Sequence, residues 1–585
     1  MSSIDIAWIS RPQMEDLATT INPNTVEALA ENALPQTARC RDDAKRAGHK
    51  QKSPASTRLR TTVLLMSVAL PMAACAPVGP DFVTPKPPIA DNYLERKDTP
   101  TRETAEERKS WWTIFDDPTL NQLMDIAYAH NLTLVSAGTH VLQARAELGV
   151  AIGGFYPQIQ QVVGTTNYNR LSRSDAFSIT NPPGNFWRST LGTQAVWELD
   201  FWGKFRRGVE NADAAYLESI ANYDDALVTL FGDVATTYIG IRTIERQIEL
   251  AQSNITRQRK ALSIAQDRFK NGATSRLDVY QAQNVLGSTE ARVPQLKIER
   301  ERGLNALRVL LGMAPQPLDS LLARTKAIPA APEDVSVGIP ADLLRRRPDI
   351  RAAELRAAAQ SAKIGIAEAD LYPSFSLAGS IGLVASSSGG ATLGDIFTHK
   401  GLAYSFGPSL QWSVLNYGRI TNNVRAQDAE LQALLVDYKN AVLKAQQEVE
   451  NGLATFVLSR EQMEFLRSSV DAAQNALDLS FLQYQQGLSD FTTVLTAEQN
   501  LLVSESNLTT TVGNLSASIA DIYRALGGGW EVRAGKDFVP PDTRDEMRDR
   551  TDWGDVLPAT GSASHTPEGL PSPADRGPTT GAPLW

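Results

Sequence analysis

Cysteine and histidine are the side chains of this sequence best suited to nucleophilic or metal chemistry, and they are few. The 585 residues include two cysteines and five histidines: Cys40, Cys75, His49, His130, His140, His399 and His565. None has metal-ligand spacing to another, and no GxSxG, HExxH, P-loop or dinucleotide fingerprint stands in a supporting context. We therefore predict no catalytic residue, no metal site, no cofactor and no enzymatic activity.

Cys75 has the sequence context of a covalent modification site. The apolar run 61–74 follows three basic residues and ends in small residues, as an export signal does. A buried core segment is the alternative, but the next residues, APVGPDFVTPKPP, have the composition of a linker. The tetrapeptide Met72-Ala73-Ala74-Cys75 resembles the bacterial lipobox, in which cleavage leaves the cysteine as an acylated first residue.

These features predict how the start of the chain is organised. Residues 1–74 would be an N-terminal extension plus a lipoprotein signal peptide, and residues 75–110 a lipid-anchored linker. Each buried methylene contributes about 0.8 kcal/mol, so several acyl chains on Cys75 would make a durable anchor. Ala76 follows the cysteine in place of aspartate, which by resemblance to lipoprotein sorting favours the outer membrane.

The charge of the chain argues against nucleic acid as a partner. The formal net charge is -9, the pI is about 5.4, and no block of Lys and Arg follows Cys75. No stretch reaches the roughly 18 apolar residues that a membrane-spanning helix needs.

The second half of the sequence repeats features of the first at a nearly constant separation. Four pairs of motifs lie 215 or 216 residues apart: Tyr156-Pro157 and Tyr372-Pro373, Trp197 and Trp412, Gly272 and Gly487, Leu311-Gly312 and Leu526-Gly527. Four matches in register indicate an internal duplication. We predict two repeats with the same order of elements, at 111–327 and 328–530.

Each repeat contains a pair of segments in which apolar residues alternate with polar or small ones. They lie at about 158–170 and 187–199, and at 375–383 and 402–414. Alternation with period two predicts strands with one apolar face, long enough for the roughly 9 to 11 residues of a tilted membrane strand. A soluble sandwich shares the pattern. The export signal and the aromatic residues near strand ends favour the membrane.

Helical patterns flank each strand pair. Helices are predicted at about 118–153 and 341–370 before the strands, and at 204–271 and 419–486 after them. At 1.5 Å per residue each of the latter two is a rod of roughly 100 Å, which turns back at Gly272 or Gly487 into a second helix. The apolar stripe of so long a rod must be covered by neighbouring rods.

Four membrane strands per chain have a geometric consequence. They leave two unpaired edges, which lipid does not tolerate. A closed barrel needs about eight or more strands, so several chains must combine. The count leaves open eight strands from two chains and twelve strands from three.

Five motifs are specific in combination. They are WWTIFDDPTLNQLMDIAYAHN at 111–131, FWGKFRRGVENADA at 201–214, LLGMAP at 310–315, LLRRRPDIRAAE at 343–354 and LGGGW at 526–530. Together with the repeat, they resemble the TolC-type outer-membrane factors, in particular the lipoprotein (NodT-like) branch that serves RND tripartite efflux pumps. The resemblance covers about residues 75–530.

The resemblance implies an α+β membrane protein. Three copies would form a β-barrel, with four strands per chain, continued by a long periplasmic α-helical barrel. Such a homotrimer would be a passive conduit, lipid-anchored in the outer membrane and extending into the periplasm. A periplasmic adaptor (membrane fusion) protein would open it by docking, and an inner-membrane RND-type transporter would drive transport.

The resemblance also implies where the functional residues lie. The helix-turn-helix tips would form the periplasmic entrance, with adaptor contacts at the matching turn residues Phe269, Gly272, Tyr484 and Gly487. The two glycines have a structural reading as well, because glycine commonly caps a helix in the left-handed conformation.

The periplasmic gate falls, by the same resemblance, on Thr492 and Thr496. The lipoprotein branch commonly has an apolar residue at the first position and an aspartate at the second, so the acidic ring expected there is missing. Asp490 or Glu498 could supply the charge instead, although both could equally be solvated.

Two segments are open to a structural and a functional interpretation. The three arginines of RRRPDIRAAE suggest anion binding, but we favour an exposed helix entry, with Pro348 in the first turn and Asp349 beside it. Residues 531–585, rich in Pro, Gly, Ser, Thr and charge, are predicted to be a disordered tail.

The alternative function is that of a non-pore periplasmic coiled-coil lipoprotein with a structural or adaptor role.

Overall fold

The computed structural model describes residues 77–86, 89, 109–170, 184–332 and 346–557. The predicted extension and signal peptide at 1–74, Cys75 and residues 558–585 lie outside the described residues. Within those ranges, no helix has a stretch both long enough and apolar enough to cross a membrane.

The two halves of the chain share an order of helices and strands. A 3-10 turn, Trp111–Phe115, precedes α1 (Pro118–His130), α2 (Leu132–Gly153), β1 (Ile159–Asn169), β2 (Phe186–Leu199), α3 (Lys204–Lys270) and α4 (Arg276–Leu310). A short helix, Asp319–Leu322, precedes α5 (Pro348–Ala369), β3 (Ser374–Ser386), β4 (Leu402–Gln411), α6 (Arg419–Gln485), α7 (Phe491–Ala525) and α8 (Pro541–Arg550). Helices α3 and α6 each have 67 residues, and α4 and α7 each have 35.

Most of these elements lie where the sequence patterns predict them. The helical stretch at 118–153 is an exception, because it is two helices that meet at Asn131. The Asn131 side chain accepts a hydrogen bond from the Leu134 N–H at 2.8 Å and donates one to the Leu310 carbonyl at 2.9 Å. Strand β4 ends at Gln411, three residues before the alternating pattern does. Helix α5 begins at Pro348, and residues 341–345 lie outside the described residues.

The four strands form one antiparallel sheet in the order β1-β2-β3-β4. Strand β2 of the first half pairs with β3 of the second, so the sheet joins the two halves. Strands β1 and β4 are its edges, and neither has a second partner strand among the described residues.

The main hydrophobic core lies where α1, α3, α4 and α7 meet. Trp111 stacks on Tyr523 with ring centroids 5.5 Å apart, and Trp112 lies 4.5 Å from Phe231. Asp117 caps α1 by accepting hydrogen bonds from two backbone N–H groups, and it also accepts one from the Tyr238 hydroxyl at 2.8 Å. Capping and aromatic packing together fix the start of the fold against α3.

The arginine-rich motif before α5 has the structural role that we favoured from the sequence, but its residue Arg347 is buried while Arg346 is exposed. Pro348 occupies the first turn of α5, while the Arg347 side chain is buried. Arg347 donates to the Ala525 carbonyl at the end of α7, at 2.6 Å, and pairs with Asp349 and Glu448, each at 2.8 Å. The guanidinium therefore ties the start of α5 to α6 and α7.

The prediction of a disordered tail over residues 531–585 is wrong for residues 531–557, which we call the C-terminal clasp. Arg533 forms a bidentate ion pair with buried Asp224 of α3, at 2.5 and 2.9 Å. Burial raises the pKa of Asp224 to about 6, against the opposing effect of Arg533. Val539 and Met547 of the clasp pack with Leu142 of α2.

Residues 77–86, part of the predicted linker, are docked against the helices, and we call them the N-terminal strap. The Val78 N–H donates to the Trp202 carbonyl at 2.9 Å. Buried Arg207 at the start of α3 pairs with Asp81 at 2.8 Å and donates to the carbonyls of Val78 and Gly79 at 3.1 and 3.0 Å. The strap therefore holds the residues just after Cys75 at the junction of β2 and α3.

Candidate functional site

The long helices are joined pairwise by two turns of the same geometry. Gly272 follows α3 with φ +72°, and its N–H donates to the Phe269 carbonyl at 3.0 Å. Gly487 follows α6 with φ +76°, and its N–H donates to the Tyr484 carbonyl at 3.0 Å. Glycine is the residue that adopts this left-handed conformation without strain. The structural role predicted for both glycines is therefore confirmed.

Arg268 joins the two turns, which we call the hairpin tips. Its Nη1 atom donates to the carbonyls of Tyr484 and Gln485 at 2.6 and 3.0 Å. Its guanidinium lies 4.7 Å from the centroid of the Tyr484 ring. The last carbonyls of a helix lack intrahelical donors and carry partial negative charge. A cation from the first hairpin thus caps the C-terminus of α6 in the second.

A separate hydrophobic cluster, the tip cluster, fills the space between the four long helices behind the turns. Its buried members are Ala261, Ala265, Val279, Ala282, Leu477, Tyr484, Phe491, Val494, Leu495, Ala497 and Leu501. The Tyr484 and Phe491 rings lie 5.0 Å apart across the second turn. All four helices contribute, so the tips can separate only if this cluster is opened.

The residues predicted for the gate lie at the exposed start of α7. Thr492 and Thr496 are both exposed and lie one helical turn apart, so they share a face. The Thr496 hydroxyl donates to the Thr492 carbonyl at 2.8 Å. Asp490 is exposed at the N-cap of α7, and its side chain makes no capping hydrogen bond.

The residues predicted for adaptor contact differ in exposure. Phe269 is 37% exposed, with the Arg276 guanidinium 5.5 Å from its ring centroid, and both turn glycines are exposed. Tyr484 is only 2% exposed, because its ring is covered by Arg268 and Phe491. Its side chain faces the tip cluster in this structure and does not face solvent.

Glu498 is buried, which contradicts the interpretation of a solvated side chain. It is 3% exposed on the apolar stripe of α7, between Val494 and Leu501, and neither carboxylate oxygen has a hydrogen-bond partner among the described residues. Burial raises its pKa to about 7, while Arg257 opposes the shift.

The sheet has one apolar and one polar face, as the alternation predicts. Val162, Thr193, Ile381 and Tyr404 lie opposite one another across the four strands, and this row is apolar apart from Thr193. Gln161, Gln194, Ser380 and Ser405, one residue along each strand, form a polar row on the other face, with the two serine hydroxyls 2.9 Å apart. Ile381 and Tyr404 are 56% and 79% exposed, so nothing in the described chain covers the middle of the apolar face, whereas Ser189 and Ala385 near one end of it are buried.

Comparison with known proteins identifies the family. A sequence model described as outer membrane efflux protein matches residues 123–313 and 339–528, which is more than half of the chain. The chain belongs to the outer membrane efflux protein family. The family resemblance drawn from the motifs is thus confirmed, and the two matched segments carry the two pairs of strands and the two helical hairpins of this efflux protein.

Individual relatives agree with this assignment. Nodulation protein T of Rhizobium leguminosarum bv. viciae is 31% identical over 447 residues, covering 76% of this chain and 88% of that protein. The pyoverdine export outer membrane protein OpmQ of Pseudomonas putida is 28% identical over 474 residues, covering 80% and 97%. The solved outer-membrane channel OprN superposes with a TM-score of 0.72 and 31% identity, over 78% of this chain and 99% of that one.

Family membership fixes the general role of the protein. It is an outer-membrane channel component of efflux systems, located in the outer membrane and extending into the periplasm. The family is one of channels and not of enzymes. Among the described residues, no group of three or more His, Cys, Asp or Glu side chains could hold a metal ion.

Two features of the tips were not predicted from the sequence: the contact made by Arg268 and the burial of Glu498. Arg268 lies in the last turn of α3, and only the packing of the two hairpins reveals its contact with the carbonyls of α6. The burial of Glu498 did have a signal, because the residue lies four positions after Val494 and three before Leu501 on the apolar stripe.

Proposed function

We propose that three copies of this chain form one conduit, the outer-membrane part of a tripartite efflux pump. Their strands would close a twelve-stranded β-barrel in the outer membrane, and their helices would continue it as a tunnel into the periplasm. A periplasmic adaptor would dock on the hairpin tips and open them, and an inner-membrane RND-type transporter would supply the energy. Acyl chains on Cys75 would anchor each copy.

The observation that carries this proposal is the sheet. It has an apolar face that is uncovered in its middle, a polar face and two edge strands without further partners among the described residues. Unpaired strand edges are costly in lipid, where no water can satisfy them, and closure with other copies removes them. The apolar face would then meet lipid, and the polar face would line a water-filled passage.

The hairpin tips support a gate at the other end of the conduit. Two helical hairpins per chain end in capped turns, and α7 begins with the exposed Thr492 and Thr496 on one face. In a ring of three copies, that face would narrow the periplasmic entrance. Neutral hydroxyls there would constrict the passage sterically, without the strong cation selection of an acidic ring.

The names of the relatives support a role in efflux pumps and do not single out one cargo. Proteins similar to this chain are named for export of pyoverdine and for efflux of toluene and solvents, which differ widely in polarity. We therefore assign selection of the cargo to the pump and passage to the channel. The alternative, a non-pore coiled-coil lipoprotein, gives no reason for the four-stranded sheet with an uncovered apolar face.

The gate assignment is tested by widening the tip. We expect the double variant Thr492→Gly with Thr496→Gly to raise the closed-state conductance of the purified protein in planar lipid bilayers, because two side chains per copy leave the constriction. A matched control is Thr256→Gly with Thr455→Gly, since both are exposed threonines whose hydroxyls also donate to the carbonyl four residues earlier. Equal conductance in the two double variants would reject the gate assignment.

A further inference from the structure

We propose that Glu498 is a proton-binding site that couples pH to the packing of the hairpin tips. The neutral carboxyl would keep α7 packed in the tip cluster, and the ionised carboxylate would favour separation of the tips. This inference rests on the proposed channel function and adds a regulation of its entrance. It concerns a residue behind the gate threonines and not the gate surface itself.

The burial of Glu498 is unusual for a carboxyl group. The side chain is 3% exposed among apolar neighbours of the tip cluster, and both of its oxygens lack a hydrogen-bond partner within the described residues. An isolated ionised carboxylate is strongly disfavoured in such surroundings unless it is paired. Either the group stays neutral or water must reach it. Water can reach it only if α7 moves away from its neighbours.

No charged group among the described residues forms a hydrogen bond with the Glu498 carboxyl group. Arg257 of α3 is the cation that acts on it, but its Nη2 atom bonds to Glu505 of α7 at 3.2 Å and to the Asn254 side chain at 2.6 Å, and its buried Nε atom has no hydrogen-bond partner among the described residues. From α6, the titratable group in the same cluster is Tyr484, and burial raises its pKa. From α4, Asp278 is bonded to the Thr274 hydroxyl.

A second buried polar group lies on the same stretch of α3 as Arg257. Gln258 is 3% exposed, and its Oε1 atom has no hydrogen-bond partner among the described residues. The interior of the tips thus contains polar groups that packing alone leaves unsatisfied. Such groups are normally satisfied by partners or by water, so they favour a second, hydrated arrangement.

The coupling between proton binding by Glu498 and packing of the tips fixes the direction and size of the pH effect. The packed tip holds the pKa of Glu498 at about 7, and hydration in an open tip would return it towards its ordinary value of 4.5. The raised pKa stabilises the packed form fully below the lower value, and this contribution is lost as pH rises through the higher one. Between pH 5.5 and 7, the open-to-closed ratio should rise about 15-fold, and by only about twofold more up to pH 8.5.

The experiment compares full-length protein in planar bilayers from pH 5.5 to 8.5. Wild type should open progressively up to about pH 7, whereas Glu498→Gln, which keeps the shape and cannot ionise, should stay at the low-pH level. The control is Glu461→Gln, an exposed carboxylate on α6, which should follow wild type. A Glu498→Gln profile identical to that of wild type would overturn the inference and leave the channel function standing.

A second measurement does not depend on conduction. Hydrogen exchange of residues 484–500 in the detergent-solubilised protein, corrected for the intrinsic effect of pH, should speed up towards pH 7 in wild type and stay constant in Glu498→Gln. Exchange that is equally pH-dependent in both proteins overturns the inference. Wild type that conducts at no pH would instead overturn the proposed function.

Discussion

At the scale of single residues, Arg268 forms a polar link between the hairpin tips. It is the side chain of the first hairpin that bonds to the terminal carbonyls of α6, and it also covers the Tyr484 ring. Its charge is matched by the negative end of a helix and by the face of a ring, with no carboxylate among these contacts. The link therefore involves no carboxyl group, which separates it from the proton-dependent role inferred for Glu498.

Removing the Arg268 side chain should loosen the tips. We expect Arg268→Ala to lose about 2–3 kcal/mol of tip stability, because two charge-assisted hydrogen bonds and a cation–π contact disappear. Faster hydrogen exchange over residues 484–490 and a raised closed-state conductance would report the loss. Arg259→Ala is the control, since the Arg259 pair with Glu290 on the same hairpin is exposed and worth at most about 1 kcal/mol. Equal exchange in the two variants would contradict the link.

The residues of the site differ in how far the sequence predicts them. Gly272 and Gly487 were predictable because a turn between two long helices calls for a left-handed residue. Exposure of Thr492 and Thr496 also agrees with the local pattern. The contact of Arg268 joins positions 216 and 217 residues apart, so it depends on the packing of two hairpins and has no local signal.

At the scale of elements, the spacing of apolar residues predicted helices and strands correctly where one face of the element has the same surroundings along its length. The alternation is clearest in β3 and β4, where one face is mainly apolar and the other is mainly small or polar, and the 67-residue helices keep an apolar stripe along their length. For the C-terminal clasp, the prediction of disorder from composition was wrong. Its fold depends on a few specific contacts, chiefly Arg533 with Asp224 and Phe538 with Tyr223, in a segment that is polar on average.

The N-terminal strap is a second element that composition misjudged. Gly79 has φ +91°, and it lies so close to Gly365 of α5 that a Cβ atom on Gly79 would come within 2.4 Å of the Gly365 Cα. The strap therefore fits only because two glycines face each other. This close fit holds the strap against the start of α3, next to the sheet.

Adding one methyl group at this contact should release the strap. In Gly365→Ala, the new Cβ would lie 2.6 Å from the Val78 carbonyl oxygen and 2.8 Å from Arg207, so the strap must move. We expect hydrogen exchange in peptides covering 77–86 to speed up by at least about tenfold, equivalent to about 1.4 kcal/mol. Gly240→Ala is the control, because no heavy atom lies within 4 Å of its new Cβ. A strap that stays protected in Gly365→Ala would show that it docks by other contacts.

At the scale of the whole molecule, the described chain leaves its sheet incomplete in two ways. The apolar row through Ile381 is exposed, and both edge strands lack outer partners among the described residues. Lipid can cover the apolar face, but it cannot supply hydrogen bonds to the edges. Assembly of several copies solves the second problem and, by closing the sheet, separates an outer apolar face from an inner polar one. The two faces should therefore respond oppositely to the same new charge.

Lysine placed on either face gives a direct test of this sidedness. Ile381 and Ser380 are neighbours in the middle of β3 and point to opposite faces. Ile381→Lys puts a charge towards lipid, at a cost of about 2–4 kcal/mol per copy near the midplane. We therefore expect much less heat-modifiable, assembled protein in isolated outer membranes.

Ser380→Lys should assemble normally and shift the reversal potential in a salt gradient towards anions, because several lysines would line the passage. Normal assembly of Ile381→Lys, together with loss of assembly in Ser380→Lys, would mean that the polar face meets lipid and the apolar face lines the passage, opposite to the proposal.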